Sequence, residues 1–309
     1  MDLDGKSVVV RSFAKVNLTL DVLGKRPDGY HAIESVMQTV SLHDTVSLSL
    51  GGSSGIRLTC DADGIPTDAR NLAHRAASAV FEASGVSPGL EIAIEKRIPA
   101  EAGLGGGSSN AAAVLRGLGL LLELSRDDVF GLAAQVGSDV PFFMVGGTAQ
   151  VSGRGEYVHA LPEVPEMWIV VVKPPFGIST PWAYRRLDEV RAASGQPTPD
   201  SERGTASMRM VECVRSGSPV SGLHSLVHSD LEPPAMEQHP DIAEMRDALR
   251  ESGARAALLC GSGSAVFGLF EDESQARSAE CDLSDRSDAS GSAVFVARTV
   301  GREEALDID

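Results

Sequence analysis

The sequence predicts a mixed α and β chain with room for two domains. Three observations carry this. The opening is a succession of β-branched strand-like runs, a glycine-rich stretch stands between a strand-like and a helix-like run at 99–110, and helical and strand patterns mix through the second half. At 309 residues the chain is long enough for two domains of ordinary size. A proline-bearing stretch near Leu161 to Pro165 marks the expected boundary, dividing it into 1–163 and 164–309.

Composition narrows the function classes. With 42% hydrophobic and 23% charged residues the chain falls in the soluble globular class, and no apolar run reaches the length a membrane span needs. The opening MDLDGKSVVV lacks the basic flank and apolar stretch of a signal peptide. Cys60, Cys213, Cys260 and Cys281 are scattered without paired spacing, so neither a zinc site nor a disulfide framework is indicated, and a cytoplasmic location is expected. The formal net charge of −16 disfavours nucleic acid or an anionic membrane as the main partner. A small anionic ligand would be held by local amides and a few placed cations.

Taken in order, VVVRSF and VNLTLDVLG read as two strands interrupted near Ala14 and Lys15. Lys15 is either a solvated lysine at a strand edge or a cation facing a site. Pro27, Asp28 and Gly29 form a turn signature followed at once by Tyr30 and His31, which either end a hairpin or offer rings to stack on and hydrogen-bond a nucleobase. AIESVMQTVSL, DTVSLSL and IRLTCDA alternate as strands of an antiparallel sheet. Asn71 to Ser84 has helical spacing and a stop at Gly85, and His74 on it is read as a structural or surface residue rather than a ligand. GLEIAIEKRIP is a strand that delivers the chain into PAEAGLGGGSSN.

That stretch, Pro99 to Asn110, sets Gly103, Gly105, Gly106 and Gly107 ahead of an alanine-rich helix begun by Ser108, Ser109 and Asn110. Glycine permits positive φ and close backbone approach, and a helix N-terminus attracts anions. A lone glycine run also makes a plain tight turn, and no Walker lysine follows it. Ser125 caps the next helix, with Asp127 and Asp128 in its first turn. Asp139, ahead of Pro141, Phe142 and Phe143, is either a helix cap or a carboxylate placed to take a proton from an alcohol.

Beyond it, GTAQVSGRGEYVHAL and MWIVVVKPP are strand-like, and a helix starting at Thr180 and Pro181 carries Trp182 and Tyr184. GQPTPDSERGTAS is expected to be a mobile loop. HSLVHSDLEPP and DIAEMRDALRESG read as helical with a break at Pro233 and Pro234. AALLCGSGSAVFGLF reads as two strands joined at Gly261 to Ser264, a second backbone cradle or only a hairpin. Ser292 to Val300 is a last strand before the acidic REEALDID, expected to be exposed.

Together, AKVNLTLDVLGKRPDGYH at 14–31, PAEAGLGGGSSNAA at 99–112, GSDVPFF at 137–143 and ALLCGSGSAVF at 257–267 resemble the GHMP kinase family. The DGYH ending of the first motif resembles the cytidyl-recognising branch. The resemblance implies two α+β domains, an N-terminal one like the second domain of ribosomal protein S5 and a C-terminal ferredoxin-like one, with the site between them. It implies ATP-dependent phosphorylation of the 2-hydroxyl of a cytidine diphosphate-linked methylerythritol in the non-mevalonate isoprenoid route.

Lys15 and Asp139 match the family's catalytic pair. The same match implies that Pro99, Ala100, Glu101, Ala102, Gly103, Leu104, Gly105, Gly106, Gly107, Ser108 and Ser109 wrap the ATP phosphates, with Asn71 and Lys96 toward the adenosine. Tyr30 and Tyr184 would sandwich the cytosine, His31 would read its polar edge, and Asn17 would lie near the reacting end. Mg2+ is implied as well, with Ser108 near it and its other ligands unassigned.

Two departures stand out. Glu101 puts an acid where small or apolar residues are usual, and SDLE at 229–232 replaces a common NDLE. The rival readings are a GHMP kinase for homoserine or mevalonate, disfavoured by Tyr30, His31 and Tyr184, and a nucleotide-binding regulator without catalysis, disfavoured by Lys15 and Asp139. A Rossmann dehydrogenase lacks its glycine fingerprint.

Overall fold

The computed structural model describes residues 5–51, 54–195, 205–287 and 291–308. The chain opens with two long strands, β1 (Ser7–Lys25) and β2 (His31–Leu50), paired antiparallel through most of their length. Each was expected as two shorter strands. Their ladder survives because irregularities at Phe13/Ala14, Asn17/Thr19 and Val22/Gly24 absorb the register change instead of ending the pairing. Lys15 and Asn17 therefore sit on a central strand between two bulges.

β3 (Ile56–Cys60) leads through α1 (Leu72–Ser84) into β4 (Leu90–Glu95). The fully antiparallel sheet expected from sequence is corrected here: β3 and β4 are parallel, as the helical crossover between them requires. Asn71 caps α1 by accepting from the Ala73 amide at 2.9 Å, and Gly85 closes it with φ 68°.

α2 (Gly106–Leu121) follows the glycine loop. It starts before the expected Ser108, with Gly105 in the N-cap position and no side-chain cap, so Ser108 to Asn110 lie inside its first turns. α3 (Arg126–Val136) is capped by Ser125, and α4 (Val140–Val145) follows directly. The hairpin β5 (Thr148–Gly153) and β6 (Tyr157–Ala160) completes this half, β5 pairing with β2.

The second half runs β7 (Trp168–Lys173), α5 (Thr180–Ser194), α6 (Ala206–Arg215), α7 (Val220–His224), β8 (His228–Ser229), α8 (Glu232–Gln238) and α9 (Pro240–Glu251). It ends with β9 (Ala256–Leu259), β10 (Val266–Phe270), α10 (Glu273–Ser287), β11 (Ala293–Arg298) and α11 (Arg302–Leu306). Pro233 and Pro234 do not break a helix but open α8, where their missing amides cost nothing, and HSLVHSDLEPP is interrupted by β8. REEALDID is not simply exposed: α11 buries Ala305 beside Phe13 and Val300. Most of GQPTPDSERGTAS lies at 196–204, outside the described residues.

Among the described residues the strands form a seven-stranded sheet, ordered β3-β4-β2-β1-β8 with β5 and β6 added at β2, and a four-stranded sheet ordered β11-β7-β10-β9. One core packs α1 to α4 on the first sheet, and a second joins Val16, Leu18 and Val36 to Ile169, Val171 and Phe267 between the sheets. β1, with apolar side chains in both cores, is buried on both faces. Among the described residues no helix is long and apolar enough to cross a membrane.

Candidate active site

A cavity of about 1190 Å3 is lined by the first strand pair, the loop from Pro99 to Ser108, the start of α4, the start of α5 and the turn between β9 and β10. At its floor Lys15 is 4% exposed. Its ammonium donates to Asn17 Oδ1 at 2.7 Å and to the Gly103 carbonyl at 2.8 Å, and stands 3.8 Å from Asp139 Oδ2. The solvated-edge reading of Lys15 is thus excluded, because a buried lysine needs acceptors and these supply them. Asn17 donates in turn to Ser35 Oγ at 2.8 Å, so its amide has one orientation. Asp139 occupies the N-cap position of α4 without a side-chain capping bond, which leaves its carboxylate to the cavity.

The glycines hold two chain segments together. A Cβ on Gly103, whose φ is 76°, would collide with the Cys260 carbonyl oxygen, and one on Gly105 would stand 2.7 Å from Phe143 Cζ. The turn Gly261–Ser264 is a hairpin, as one reading had it, and it docks on the loop: the Ser264 and Ala265 amides donate to the Glu101 and Ala102 carbonyls at 3.2 and 3.3 Å. Glu101, with φ 51°, turns its carboxylate against Gly177. Burial lowers the pKa of the nearby Lys173, and the charge of Glu101 opposes that shift.

Behind the loop lies a residue the sequence reading missed. Asp44 is fully buried and accepts from Lys96 Nζ at 2.6 Å and Asn110 Nδ2 at 2.8 Å on one oxygen, and from the Arg97 and Ile98 amides at 2.7 and 2.8 Å on the other. Ser12 joins the network, donating to Ser109 Oγ at 2.8 Å and accepting from Asn110 Nδ2 at 2.9 Å. Lys96, expected toward a nucleoside, spends two of its donors on Asp44 and the Ile98 carbonyl, yet also lines the cavity. Asn71 lines it too, with its amide engaged by Ala73 and the Pro66 carbonyl. An acid opening an alternating strand, DTVSLSL, was the available signal for Asp44.

At the other end His31 and Tyr184 stack, with centroids 5.0 Å apart and planes at 26°. His31 Nε2 is 2.9 Å from Asp188 Oδ1, four residues after Tyr184 on α5, another partner missed from sequence. Burial, with the Asp139 charge adding to it, pushes the Tyr184 hydroxyl well above its ordinary range. Tyr30 stands apart at 54% exposure, with the Arg154 guanidinium 5.3 Å from its ring centre. Arg154 had no sequence signal.

Outside the cavity, Asp21, His228 and Asp230 come within metal-ligating distance of one another. Their carboxylates are already taken by protein donors: Asp21 by the Ser207 amide and hydroxyl, Asp230 by the Val22 amide at 2.7 Å and Arg191 at 2.8 Å. This cluster ties β8 and α6 to β1. Ser229, the departure at SDLE, accepts from the Leu231 amide at 3.3 Å and so keeps a local polar contact.

Descriptions of known families match both halves: GHMP kinases N terminal domain over residues 71–147, and GHMP kinases C terminal over 214–288. The 4-diphosphocytidyl-2-C-methyl-D-erythritol kinase of Heliobacterium modesticaldum is 43% identical over 301 residues, covering 94% of this chain and 95% of that relative. A crystal structure of 4-(cytidine 5'-diphospho)-2C-methyl-D-erythritol kinase superposes with TM-score 0.76 at 36% identity, covering 95% of this chain and 99% of the other. Homoserine kinase from Cytophaga hutchinsonii, at TM-score 0.75 but 20% identity over 98% of this chain and 97% of the other, shares the fold. The chain belongs to the GHMP kinases and, within them, to the family of 4-diphosphocytidyl-2-C-methyl-D-erythritol kinases.

Proposed function

We propose that this chain transfers the γ-phosphoryl group of ATP to the 2-hydroxyl of 4-diphosphocytidyl-2-C-methyl-D-erythritol, a step of the non-mevalonate isoprenoid route carried out in the cytoplasm. One observation carries the reading: a single cavity joins the Lys15–Asp139 pair and the glycine loop at one end to Tyr184, His31 and Tyr30 at the other. The loop and the amides opening α2 take the ATP phosphates. Asp139 accepts or orients the proton of the acceptor hydroxyl, and Lys15, fixed by Asn17 and Gly103, orients Asp139 and favours the developing negative charge. Phosphoryl transfer asks little covalent chemistry of the protein, so this positioning carries most of the rate.

Tyr30 and Tyr184 provide the rings for the cytosine, and His31 its hydrogen bond. We read residues 1–163 as the domain carrying the loop and the catalytic pair, and 164–309 as the domain closing the cavity from α5 and the Gly261–Ser264 turn.

Mg2+ prefers oxygen donors, few carboxylates and phosphate oxygens, and the cavity offers the Ser108 hydroxyl and the Asp139 carboxylate, so the donor set fits. Those two residues would hold the ion, which would supply positive charge to offset that of the phosphates. The test is ADP release measured in a coupled assay with the cytidyl substrate, homoserine and mevalonate in turn. Turnover with the cytidyl substrate alone is expected, and turnover with either of the others in its place would overturn the assignment.

A further inference from the structure

Cations facing the cavity divide into those neutralised by protein acids and those left for a ligand. Arg70 pairs with Asp68 at 2.8 Å, Arg185 with Glu189 at 3.9 Å, and Arg26, close to the cavity rim, with Asp28 at 3.1 Å and Glu156 at 3.7 Å. Arg154 and Lys25 line the cavity, and among the described residues neither side-chain cation has a carboxylate oxygen within 4.0 Å. In a chain carrying 43 acidic and 27 basic residues, acid partners are plentiful, so this gap marks positions open to an external anion.

The placement of Arg154 is built. It lies in the β5–β6 turn, where its amide donates to the Glu156 carboxylate at 2.5 Å, and Gly155 approaches Ser138 so closely that a Cβ there would stand 3.0 Å from the Ser138 carbonyl oxygen. The turn is thereby pressed against the residue preceding Asp139. The guanidinium donates to the Ala134 carbonyl at 3.4 Å and lies over one face of Tyr30. Lys25 pairs in register with His31, on the same side of the cavity. Arg154 thus stands between the carboxylate end and the aromatic end.

We infer that Arg154, with Lys25 lining the same cavity, binds the diphosphate bridge of the acceptor substrate. This rests on the proposed substrate, whose two phosphates separate the base from the reacting alcohol. A guanidinium offers paired donors suited to phosphate oxygens, and a lysine in the same cavity adds a point charge.

The experiment is calorimetric titration of the full-length protein, its nucleotide end filled with a non-hydrolysable ATP analogue. The titrants are cytidine, cytidine 5'-monophosphate and cytidine 5'-diphosphate. Wild type is expected to gain affinity as phosphates are added. Arg154→Gln is expected to lose about ten- to hundredfold of that gain while binding cytidine as before, and Arg154→Lys to keep much of it. A gain undiminished in Arg154→Gln overturns the inference while leaving the substrate reading intact. Equal weakening of cytidine and its diphosphate also overturns it, since Arg154 would then only support Tyr30. A wild type that binds none of the three overturns the substrate reading and the inference with it.

Discussion

The two ends of the cavity are built on opposite principles. At the Lys15 end the polar groups are buried and held by neighbours that are themselves held: Lys15 by Asn17 and Gly103, Asn17 by Ser35, Lys96 and Asn110 by Asp44. At the Tyr30 end the ring is more than half exposed, and the side-chain cations of Arg154 and Lys25 lack carboxylate partners among the described residues. A preorganised end stabilises charge as it develops, whereas an open end gains its order from the ligand. Changes at the first end should therefore reach fold and turnover, and changes at the second should reach substrate affinity.

The largest effect is expected at Asp44. Asp44→Ala leaves Lys96 without its buried partner and is expected to cost about 3–5 kcal/mol of stability in denaturant unfolding, as loss of one member of a buried pair does. Stability unchanged by this substitution would mean the loop does not depend on the network behind it. Next, Asp139→Asn should lower turnover by about two orders of magnitude or more with ATP affinity nearly intact, measured by steady-state kinetics and nucleotide titration. At the open end Tyr30→Ala should weaken the cytidyl substrate by about 1–3 kcal/mol, the worth of a stacked base, seen as a KM raised by roughly five- to a hundredfold, with the KM for ATP unmoved. An equal loss of ATP affinity would mean the two ends are assigned the wrong way round.

The smallest effect sharpens the comparison from outside the cavity. The hydrogen bond to Asp230 raises the pKa of His228 above its ordinary 6.5, against the effect of burial. A raised folded-state pKa means that the contribution of His228 is full below about 6.5 and is lost as pH rises through the raised value. His228→Gln should therefore lower stability below that pH and converge with wild type at alkaline pH. The difference should stay within about 1 kcal/mol, since the imidazole is 44% exposed and screened by solvent. A difference that grows with pH would reverse the assigned sign.

How much of this was legible in the sequence depends on the range of the interaction. The helix at 71–84 and its stop at Gly85 are local, and the residues alone carried them, whereas the turn at Gly261–Ser264 was legible only as a cradle or a hairpin. Lys15 and Asp139 could be singled out, but their approach to 3.8 Å joins residues 124 positions apart and needed the fold. β1 and β2 were read as broken because a bulge and a strand end leave the same mark on periodicity, and only the partner strand tells them apart.

Asp44 was passed over for a related reason. One carboxylate in an alternating strand does not reveal that four donors from two segments converge on it. Arg154 was missed because its turn carries no pattern beyond Gly-Arg-Gly, and only the fold shows its guanidinium lying over Tyr30 with no carboxylate paired to it among the described residues.

The central claim is that the buried pair and the open aromatic end act on one acceptor molecule. Phosphorus NMR of the complete reaction tests it most directly, following ATP and the cytidyl substrate together. The γ-phosphate signal of ATP is expected to be replaced by one new phosphomonoester signal on the substrate, with the cytidyl diphosphate signals retained and the conversion suppressed in Asp139→Asn. Release of inorganic phosphate without a new phosphomonoester, or the same rate of conversion in Asp139→Asn, would contradict it.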